Sequence, residues 1–205
     1  MKIAIFGATG GTGQELVRLA LAQGHLVTAF VRDPGRLPFR EEGLKLVVGD
    51  VLEAGCVTEA MANQEAAIVA LGSHDRKERS VRSEGTANVI RAMQAYGVPR
   101  LVVVSAGGVG DSYQGAPLIL KLVIKTMLKN TYADHEHQER HVRQSGLDWV
   151  IVRPAMLTDG PATGRFDNGT SGGLPEGKVS RADVASFVLR QLTDERYLLQ
   201  AVSIP

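Results

Sequence analysis

Met1-Lys-Ile-Ala-Ile-Phe-Gly7-Ala-Thr-Gly10-Gly-Thr-Gly13 is the stretch that decides the fold of this 205-residue chain. An apolar run leads into a turn with glycines at positions 7, 10 and 13, and an apolar-periodic run follows at once. Strand, glycine turn and helix in this order suit a dinucleotide. One glycine makes the tight turn, one admits the diphosphate to the backbone, and one lets the helix pack on the strand. The N–H groups at the helix start then face the anion.

Strand-like and helix-like runs alternate along the rest of the chain. Strands are expected near residues 26–31, 44–48, 66–71, 100–105, 148–153 and 200–204, and helices near 56–63, 80–96, 117–145 (in two pieces) and 180–192. This alternation predicts an α/β fold, a doubly wound parallel sheet (Rossmann fold) with helices on both faces. Residues 1–205 are expected to form a single NAD(P)-binding domain with a small C-terminal substrate-side extension.

The C-terminal extension differs in composition from the rest of the chain. Residues 157–178 are rich in Gly, Pro and Asn, which predicts an irregular substrate-side segment with one short strand near 163–167. Ser180 follows it, and Asp183 stands three residues later. This spacing predicts Ser180 as the N-cap of the last helix.

The composition argues against several classes of function. The net charge of +1 gives no electrostatic basis for binding nucleic acid or an anionic membrane, so neither is an expected partner. Cys56 is the single cysteine, which excludes an intramolecular disulfide or a multi-cysteine zinc site and suits a cytoplasmic location. The N-terminal apolar run is too short for a signal peptide, and lysines interrupt the longest apolar stretch, near 118–128.

Charged residues after the second predicted strand bear on the choice of dinucleotide. An acidic residue there commonly holds the ribose 2′-hydroxyl of NAD. Here Arg32 comes first and Arg36 follows across a turn, and a guanidinium pairs bidentately with a 2′-phosphate, which favours NADP(H). Asp33 is an alternative partner for a 2′-hydroxyl if its side chain points inward. Asp50, after the third strand, is either an adenine contact or the N-cap of the helix near 56.

Six segments together carry a family resemblance. They are Gly7-Ala-Thr-Gly-Gly-Thr-Gly13, Val31-Arg-Asp-Pro34, Gly49-Asp-Val51, Ser83-Glu-Gly-Thr-Ala-Asn-Val89, Ser145-Gly-Leu-Asp-Trp-Val-Ile-Val-Arg-Pro154 and Ser180-Arg-Ala-Asp-Val-Ala185. They resemble the atypical short-chain dehydrogenase/reductases, and among them the biliverdin reductase B/flavin reductase (NADPH) group. The resemblance implies a monomeric, cytosolic, NADPH-dependent reductase that passes hydride to flat conjugated molecules. These are flavins such as FMN and riboflavin, or biliverdin-type tetrapyrroles.

The resemblance also implies the site residues. Those expected to hold the dinucleotide are Gly7, Thr9, Gly10, Gly11, Thr12, Gly13, Arg32, Arg36, Asp50, Val51, Leu71 and Gly72. Ser105, at the end of the fifth strand, matches the family's active-site serine and is the candidate catalytic residue. It is also a candidate for binding the nicotinamide amide or the acceptor, or for capping the strand end. Pro154, Ala155 and Met156 match the segment beside the nicotinamide. His135 matches a family histidine near the pocket, whereas its helix pattern favours a solvated face.

The sequence lacks the residues of ordinary carbonyl reduction. That chemistry uses a Tyr-x-x-x-Lys pair, in which the lysine lowers the tyrosine pKa for proton delivery. Pro117 follows Tyr113 at that spacing, and Glu136 follows Tyr132. Flavin or tetrapyrrole reduction mainly requires that two flat rings be oriented, because hydride goes to an electron-poor system and solvent supplies the proton. The alternatives are an NADP-sensing NmrA-like regulator without turnover and a relative of the sugar-nucleotide epimerases.

A metal site is not expected. His137 and His141 share a helical face, but two ligands do not make a site. Glu139 stands where a His-Glu-x-x-His motif starting at His135 needs its second histidine.

Overall fold

Strands and helices alternate along the chain as the sequence predicts. The computed structural model describes residues 1–72, 80–164, 170–171, 173–175 and 177–205. The strands are β1 (Lys2–Phe6), β2 (Leu26–Val31), β3 (Leu44–Val48), β4 (Ala66–Val69), β5 (Arg100–Val104), β6 (Asp148–Pro154), β7 (Met156–Thr158), β8 (Thr170–Ser171), β9 (Lys178–Ser180) and β10 (Gln200–Ile204). The helices are α1 (Gly11–Ala22), α2 (Ala54–Met61), α3 (Val81–Tyr96), α4 (Leu118–Thr126), α5 (Lys129–Arg143) and α6 (Arg181–Arg190), with short 3₁₀ turns at Pro34–Arg36 and Gly110–Tyr113.

The main sheet is doubly wound, which confirms the predicted fold class. Its strand order is β3-β2-β1-β4-β5-β6-β10-β8. The strands from β3 to β10 are parallel, and β8 pairs antiparallel with β10 at the edge. The order reverses at β1, since the chain moves outward to β3 and then returns to add β4 on the other side of β1. In such sheets ligands bind at this reversal, outside the carboxyl ends of the strands.

Each face of the sheet has its own apolar layer. On β1, Ile3 and Ile5 pack with α1 and α6, whereas Ala4 and Phe6 pack with α2 and α3 on the opposite face. All four side chains are fully buried. Alternate residues of a strand point to opposite faces, so a strand covered on both sides reads as a continuous apolar run. This explains why the run before Gly7 has no polar residue after Lys2.

Two glycines bring α1 against the end of β1. Gly7 has φ +87°, and a β-carbon there would lie 2.3 Å from the carbonyl oxygen of Ala70. A β-carbon at Gly13 would lie 2.1 Å from the carbonyl oxygen of Gly7. Both distances are far below van der Waals contact with backbone atoms, which cannot move aside. The N-terminus of α1 is therefore held at the point where the strand order reverses.

The segment at 157–178 contains more regular structure than the sequence suggests. Strand β7 pairs in parallel with β9, and β8 lies within the segment. Of the strand expected near 163–167, residues 163 and 164 are irregular and 165–167 lie outside the described residues. Thr163 and Gly164 instead donate backbone hydrogen bonds to the carboxylate of Asp183, at 2.9 Å each. Ser180 caps α6 through a hydrogen bond from the Asp183 N–H, which confirms the predicted cap.

No helix in the described part of the chain combines the length and the apolar character needed to cross a lipid bilayer.

Replacing Gly13 with alanine should disrupt the start of α1. The new methyl group would overlap the Gly7 carbonyl oxygen, so we expect Gly13→Ala to lower the free energy of unfolding by about 2–3 kcal/mol. Gly55→Ala in α2 is the matched control, because its β-carbon meets no atom within 4 Å. Alanine there should be neutral or stabilise the protein by about 0.5–1 kcal/mol. Urea unfolding followed by circular dichroism measures both; an unchanged Gly13→Ala midpoint contradicts the packing account.

Candidate functional site

A cleft of ≈ 340 Å³ lies at the carboxyl ends of the central strands. The predicted site residues that line it are Gly7, Thr9, Gly10, Gly11, Thr12, Gly13, Arg32, Arg36, Asp50, Val51, Leu71, Gly72, Ser105, Pro154 and Ala155. These residues come from the ends of six strands, β1 to β6, and are far apart in the sequence. The fold brings them together because parallel strands end at the same edge of a sheet.

Met156 is the predicted site residue that stays outside the cleft wall formed by the described residues. Its side chain is 66% exposed, and the next residue, Leu157, lines the cleft instead. Both residues belong to β7, where successive side chains point to opposite faces. Leu157 therefore faces the cleft, and the placement of Met156 beside the nicotinamide stays a prediction.

The first turn of α1 forms one end of the cleft. Gly10 precedes the helix, and no side chain of the described residues caps its first N–H groups. Arg181, the first residue of α6, reaches across to this turn, since a β-carbon at Gly11 would lie 2.7 Å from its Cδ and Nε atoms. Open N–H groups beside a guanidinium suit a phosphate anion. No sequence pattern indicated a site role for Arg181, although it lies in the Ser180-Arg-Ala-Asp183 motif that predicted the helix start.

In the turn after β2, the side chain of Asp33 has a different role from those of Arg32 and Arg36. Arg32 and Arg36 are exposed and line the cleft. The Asp33 carboxylate accepts a hydrogen bond from the Gly35 N–H at 2.9 Å and caps the 3₁₀ turn. Asp33 is therefore used within the turn and is absent from the described cleft wall. Of the two alternatives left by the sequence, the geometry favours the arginines as the ribose-side contacts.

Asp50 lines the cleft and does not cap α2. Its Oδ1 atom accepts a hydrogen bond from the Leu52 N–H at 2.9 Å, which closes a local turn. Helix α2 begins at Ala54, and Glu53 occupies its N-cap position. The carboxylate of Asp50 is thus held at the cleft by its own loop, so the role of adenine contact is the one of the two alternatives that the structure leaves open.

Helix α3 supports the cleft from behind. A β-carbon at Gly85 would lie 2.8 Å from Val51 and 2.9 Å from Leu71, so the glycine lets both cleft residues pack on the helix. Asn88, one turn later, donates a hydrogen bond to the Val51 carbonyl at 2.8 Å. The Ser83-to-Val89 segment of the family resemblance therefore holds two of the cleft's loops in place.

Ser105 lies at the end of β5, is 6% exposed and lines the cleft. Its hydroxyl donates a hydrogen bond of 2.8 Å to Oε1 of Glu139 on α5. Glu139 in turn accepts two hydrogen bonds from Arg153 on β6. The Ser105 hydroxyl therefore does not cap the end of β5. Its two other predicted roles, in catalysis and in binding the nicotinamide amide or the acceptor, stay predictions.

His135 is buried and lines the cleft, so the expectation of a solvated face is wrong. Its Nδ1 atom lies 3.2 Å from Oε1 of Gln138, and the Gln138 amide nitrogen donates to Thr86 at 2.9 Å. This arrangement assigns the Nδ1–H tautomer. Burial, and then the positive charge of Arg82, lower the pKa of His135 to about 4. The imidazole is therefore neutral at physiological pH.

Arg82 is a cleft residue that the sequence did not indicate. It lies in the first turn of α3, with a side chain only 11% exposed. Its Nη1 atom is 3.5 Å from the Asp134 carboxylate, and its buried Nε has no hydrogen-bond partner among the described residues. A partly buried guanidinium with one long ion pair and an unpartnered Nε is poorly satisfied. Arg82 therefore suits an anionic group arriving in the cleft.

The described cleft wall contains no tyrosine or lysine. Tyr132 donates its hydroxyl to the Gly107 carbonyl at 3.0 Å, and burial raises its pKa. In the described part of the chain, no three His, Cys, Asp or Glu side chains are placed to hold a metal ion. His137 and His141 are both exposed on α5.

The charge of the cleft matches an anionic dinucleotide. Its described wall carries the arginines at 32, 36, 82 and 181 and the carboxylate of Asp50, and Asp134 and Asp159 pair with Arg82 and Arg181 from outside the wall. The glycine turn, the open helix N-terminus and the positive charge fit a nucleotide diphosphate. Fold and cleft therefore define a doubly wound dinucleotide-binding protein.

The chain belongs to the NAD(P)H-binding family, whose profile matches residues 7–195. It is 29% identical, over 99% of its length and 76% of the relative's, to an uncharacterized chloroplastic protein of Arabidopsis thaliana. It is 32% identical to a 3-diazoavenalumate denitrifying reductase of a Streptomyces species, covering 92% of this chain and 68% of that one. Among solved structures, ChuY, an anaerobilin reductase of Escherichia coli O157:H7, superposes with a TM-score of 0.84 at 25% identity, covering 100% of this chain and 96% of the other.

The lowered pKa of His135 predicts acid sensitivity. Below about pH 6.5 the unfolded chain binds a proton at this histidine and the folded chain does not, so stability falls as the pH drops towards 4. Between pH 7 and pH 4 the wild-type free energy of unfolding should fall by about 3 kcal/mol more than that of His135→Gln. His137→Gln, at an exposed position of the same helix, should follow the wild type. Urea unfolding across this range measures the three; parallel curves for wild type and His135→Gln contradict the assignment.

Proposed function

We propose that this protein is an NADPH-dependent reductase that transfers hydride to flat conjugated acceptors, namely flavins such as FMN and riboflavin or biliverdin-type tetrapyrroles. The observation that carries the proposal is the lack of a poised general acid in the described cleft wall. The Ser105 hydroxyl donates its hydrogen bond to Glu139, and His135 is neutral with a pKa of about 4. Bound NADPH supplies the hydride. Electron-poor rings accept it without a proton from the protein.

The apolar character of the cleft wall is consistent with an aromatic hydride acceptor. Beside Ser105 the wall is mostly apolar, formed by Val81, Val104, Ala106, Pro154, Ala155 and Leu157. Flat rings bury well against such a surface, with few polar groups to orient them. Two similar proteins are named as reductases, one of anaerobilin and one of 3-diazoavenalumate. These names support reductase activity and leave the acceptor of this chain to be tested.

The positive charge of Arg82 favours binding of hydride acceptors that carry an anionic group. FMN has a phosphate and biliverdin has carboxylates, whereas riboflavin has neither. The partly buried guanidinium of Arg82, whose Nε has no partner among the described residues, gains most from a charged partner. We therefore expect FMN to be reduced with a higher kcat/KM than riboflavin.

We propose NADPH over NADH because of the turn after β2. Arg32 and Arg36 line the cleft, and Asp33 is turned to the Gly35 N–H. A guanidinium stabilises a 2′-phosphate by charge-assisted hydrogen bonds, which a 2′-hydroxyl does not match.

Arg32→Ala should therefore weaken NADPH binding by about 10- to 100-fold, while NADH binding changes by less than about 2-fold. Arg18→Ala is the matched control, since Arg18 is exposed on α1 and paired with Glu15. Fluorescence titration of both reduced dinucleotides measures the effect. Equal losses for NADPH and NADH would show that Arg32 does not contact the 2′-phosphate.

The activity is tested by following NADPH absorbance with FMN, riboflavin or biliverdin under anaerobic conditions. Oxidation above the protein-free rate is expected, with FMN preferred to riboflavin. Arg82→Gln should lower kcat/KM for FMN by about 10-fold and bring it towards that for riboflavin, whereas Arg18→Gln should change neither. Tight NADPH binding without oxidation of any acceptor would overturn the reductase and favour an NADP-sensing regulator of the NmrA type.

A further inference from the structure

A buried ion pair lies behind the cleft. Arg153 on β6 is 0% exposed and Glu139 on α5 is 3% exposed. The Arg153 Nε donates to Oε1 of Glu139 at 2.9 Å, and Nη2 donates to Oε2 at 2.6 Å. Two parallel hydrogen bonds of this kind fix both side chains in one orientation.

The loop that contains Gly110 and Asp111 contacts the remaining nitrogen of the Arg153 guanidinium. The Asp111 carboxylate accepts from Nη1 of Arg153 at 2.5 Å. Gly110 has φ +59°, and a β-carbon there would lie 2.7 Å from Nη2, so the backbone runs directly against the guanidinium. Burial would raise the pKa of Asp111, but its hydrogen bond and ion pair with Arg153 hold that pKa below the ordinary value. All three guanidinium nitrogens are thereby engaged.

Stability alone does not explain such a pair. Replacing a buried ion pair with apolar side chains of similar volume is often neutral or stabilising, because desolvating two charges offsets their attraction. Besides its contacts with Asp111 and Arg143, the Glu139–Arg153 pair has a contact that reaches the cleft. Oε1 of Glu139 accepts the hydroxyl hydrogen of Ser105 at 2.8 Å.

The contact with Glu139 determines which hydrogen bonds Ser105 can still make in the cleft. A serine hydroxyl has one hydrogen to donate and two lone pairs that accept. Both carboxyl oxygens of Glu139 accept hydrogen bonds from Arg153, and Oε2 also accepts from Arg143 at 3.4 Å, so Glu139 acts as an acceptor towards Ser105. The hydrogen of Ser105 is directed at Glu139, and the lone pairs remain for the cleft.

We propose that the Glu139–Arg153 pair is a positioning device that makes Ser105 a hydrogen-bond acceptor towards the cleft, where it recognises the N–H of the nicotinamide carboxamide. The pair therefore selects a ligand that presents an N–H at this position and disfavours one that presents a carbonyl oxygen or a methyl group. Ser105 then orients the cofactor, and the proton for the reduced acceptor comes from elsewhere.

The carboxamide is the expected donor because of where Ser105 lies. The arginines after β2 take the adenosine end of the dinucleotide in the function proposed above, on which this step depends. The first turn of α1 takes the diphosphate, and the nicotinamide then extends towards the ends of β5 and β6, where Ser105 and Pro154 line the cleft. A ring N–H of a flavin or tetrapyrrole is the other source of the same chemistry, and binding measured without an acceptor separates the two.

The test compares three oxidised dinucleotides by competition with NADPH fluorescence, with no acceptor present. The 3-acetylpyridine analogue of NADP⁺ replaces the carboxamide NH₂ with a methyl group, and the thionicotinamide analogue keeps the NH₂. The wild type should bind the acetylpyridine analogue about 5- to 10-fold more weakly than NADP⁺, and the thionicotinamide analogue within about 2-fold. Ser105→Ala should weaken NADP⁺ about 5- to 10-fold and leave the acetylpyridine analogue unchanged.

Glu139→Gln tests the positioning step. It releases the Ser105 hydroxyl, which can then donate to the acetyl carbonyl, so the preference for NADP⁺ over the acetylpyridine analogue should fall towards 1. A merely structural role of Glu139 would weaken all three dinucleotides and leave their ratios unchanged. Glu136→Gln, at an exposed position one turn earlier on α5, should keep the wild-type ratios. Near-ultraviolet circular dichroism checks that each variant is folded.

Two results would overturn the proposal. One is a Ser105→Ala protein that still discriminates NADP⁺ from the acetylpyridine analogue as the wild type does. The other is a folded Glu139→Gln protein with wild-type ratios. If Glu139→Gln does not fold, Ser105→Ala alone decides whether Ser105 accepts from the carboxamide. A protein that discriminates as expected but oxidises no NADPH would contradict the proposed reductase and leave this inference standing.

Discussion

The contact between Gly13 and the carbonyl oxygen of Gly7 is the constraint on which the rest of this structure depends. A β-carbon at Gly13 would lie 2.1 Å from that oxygen, so α1 starts directly against the end of β1. The helix N-terminus consequently points into the crevice where the strand order reverses. The proposed position of the diphosphate follows from this placement. So does the proposed course of the dinucleotide, from the arginines after β2 to the serine after β5.

A second constraint comes from the polar residues of α5. Asp134, His135, Gln138 and Glu139 are all buried, and each has a hydrogen-bond partner on a neighbouring element or on α5 itself. Asp134 accepts from the first turn of α3, and Glu139 accepts from β5 and β6. Buried polar groups that are all paired specify one arrangement of the elements they join. In this protein they set the positions of Arg82, Ser105 and His135 in the cleft wall.

The sequence predicted the framework better than the details of the cleft. Glycine spacing and apolar runs report backbone geometry directly, which is why the turn at Gly7, the cap at Ser180 and the strand at 200–204 could be predicted. His135 was placed wrongly because a polar helical stripe usually indicates solvent, and here that stripe faces α3 and the sheet. Arg82 and Arg181 depend on contacts between distant elements, which periodicity does not encode. Leu157 lines the cleft where Met156 was expected to, because neighbouring residues of a strand point to opposite faces.

The central claim is that this cleft delivers hydride from NADPH to a flat acceptor without a general acid from the protein. The most direct measurement is the single-turnover rate of riboflavin reduction at saturating NADPH between pH 6 and pH 9, with hydrogen or deuterium at each of the two transferable positions on C4. The account predicts a rate constant that is independent of pH and is slowed by deuterium at one of those positions. A rate that follows a single ionisation near neutral pH, or an absence of any isotope effect with riboflavin reduced, would contradict it.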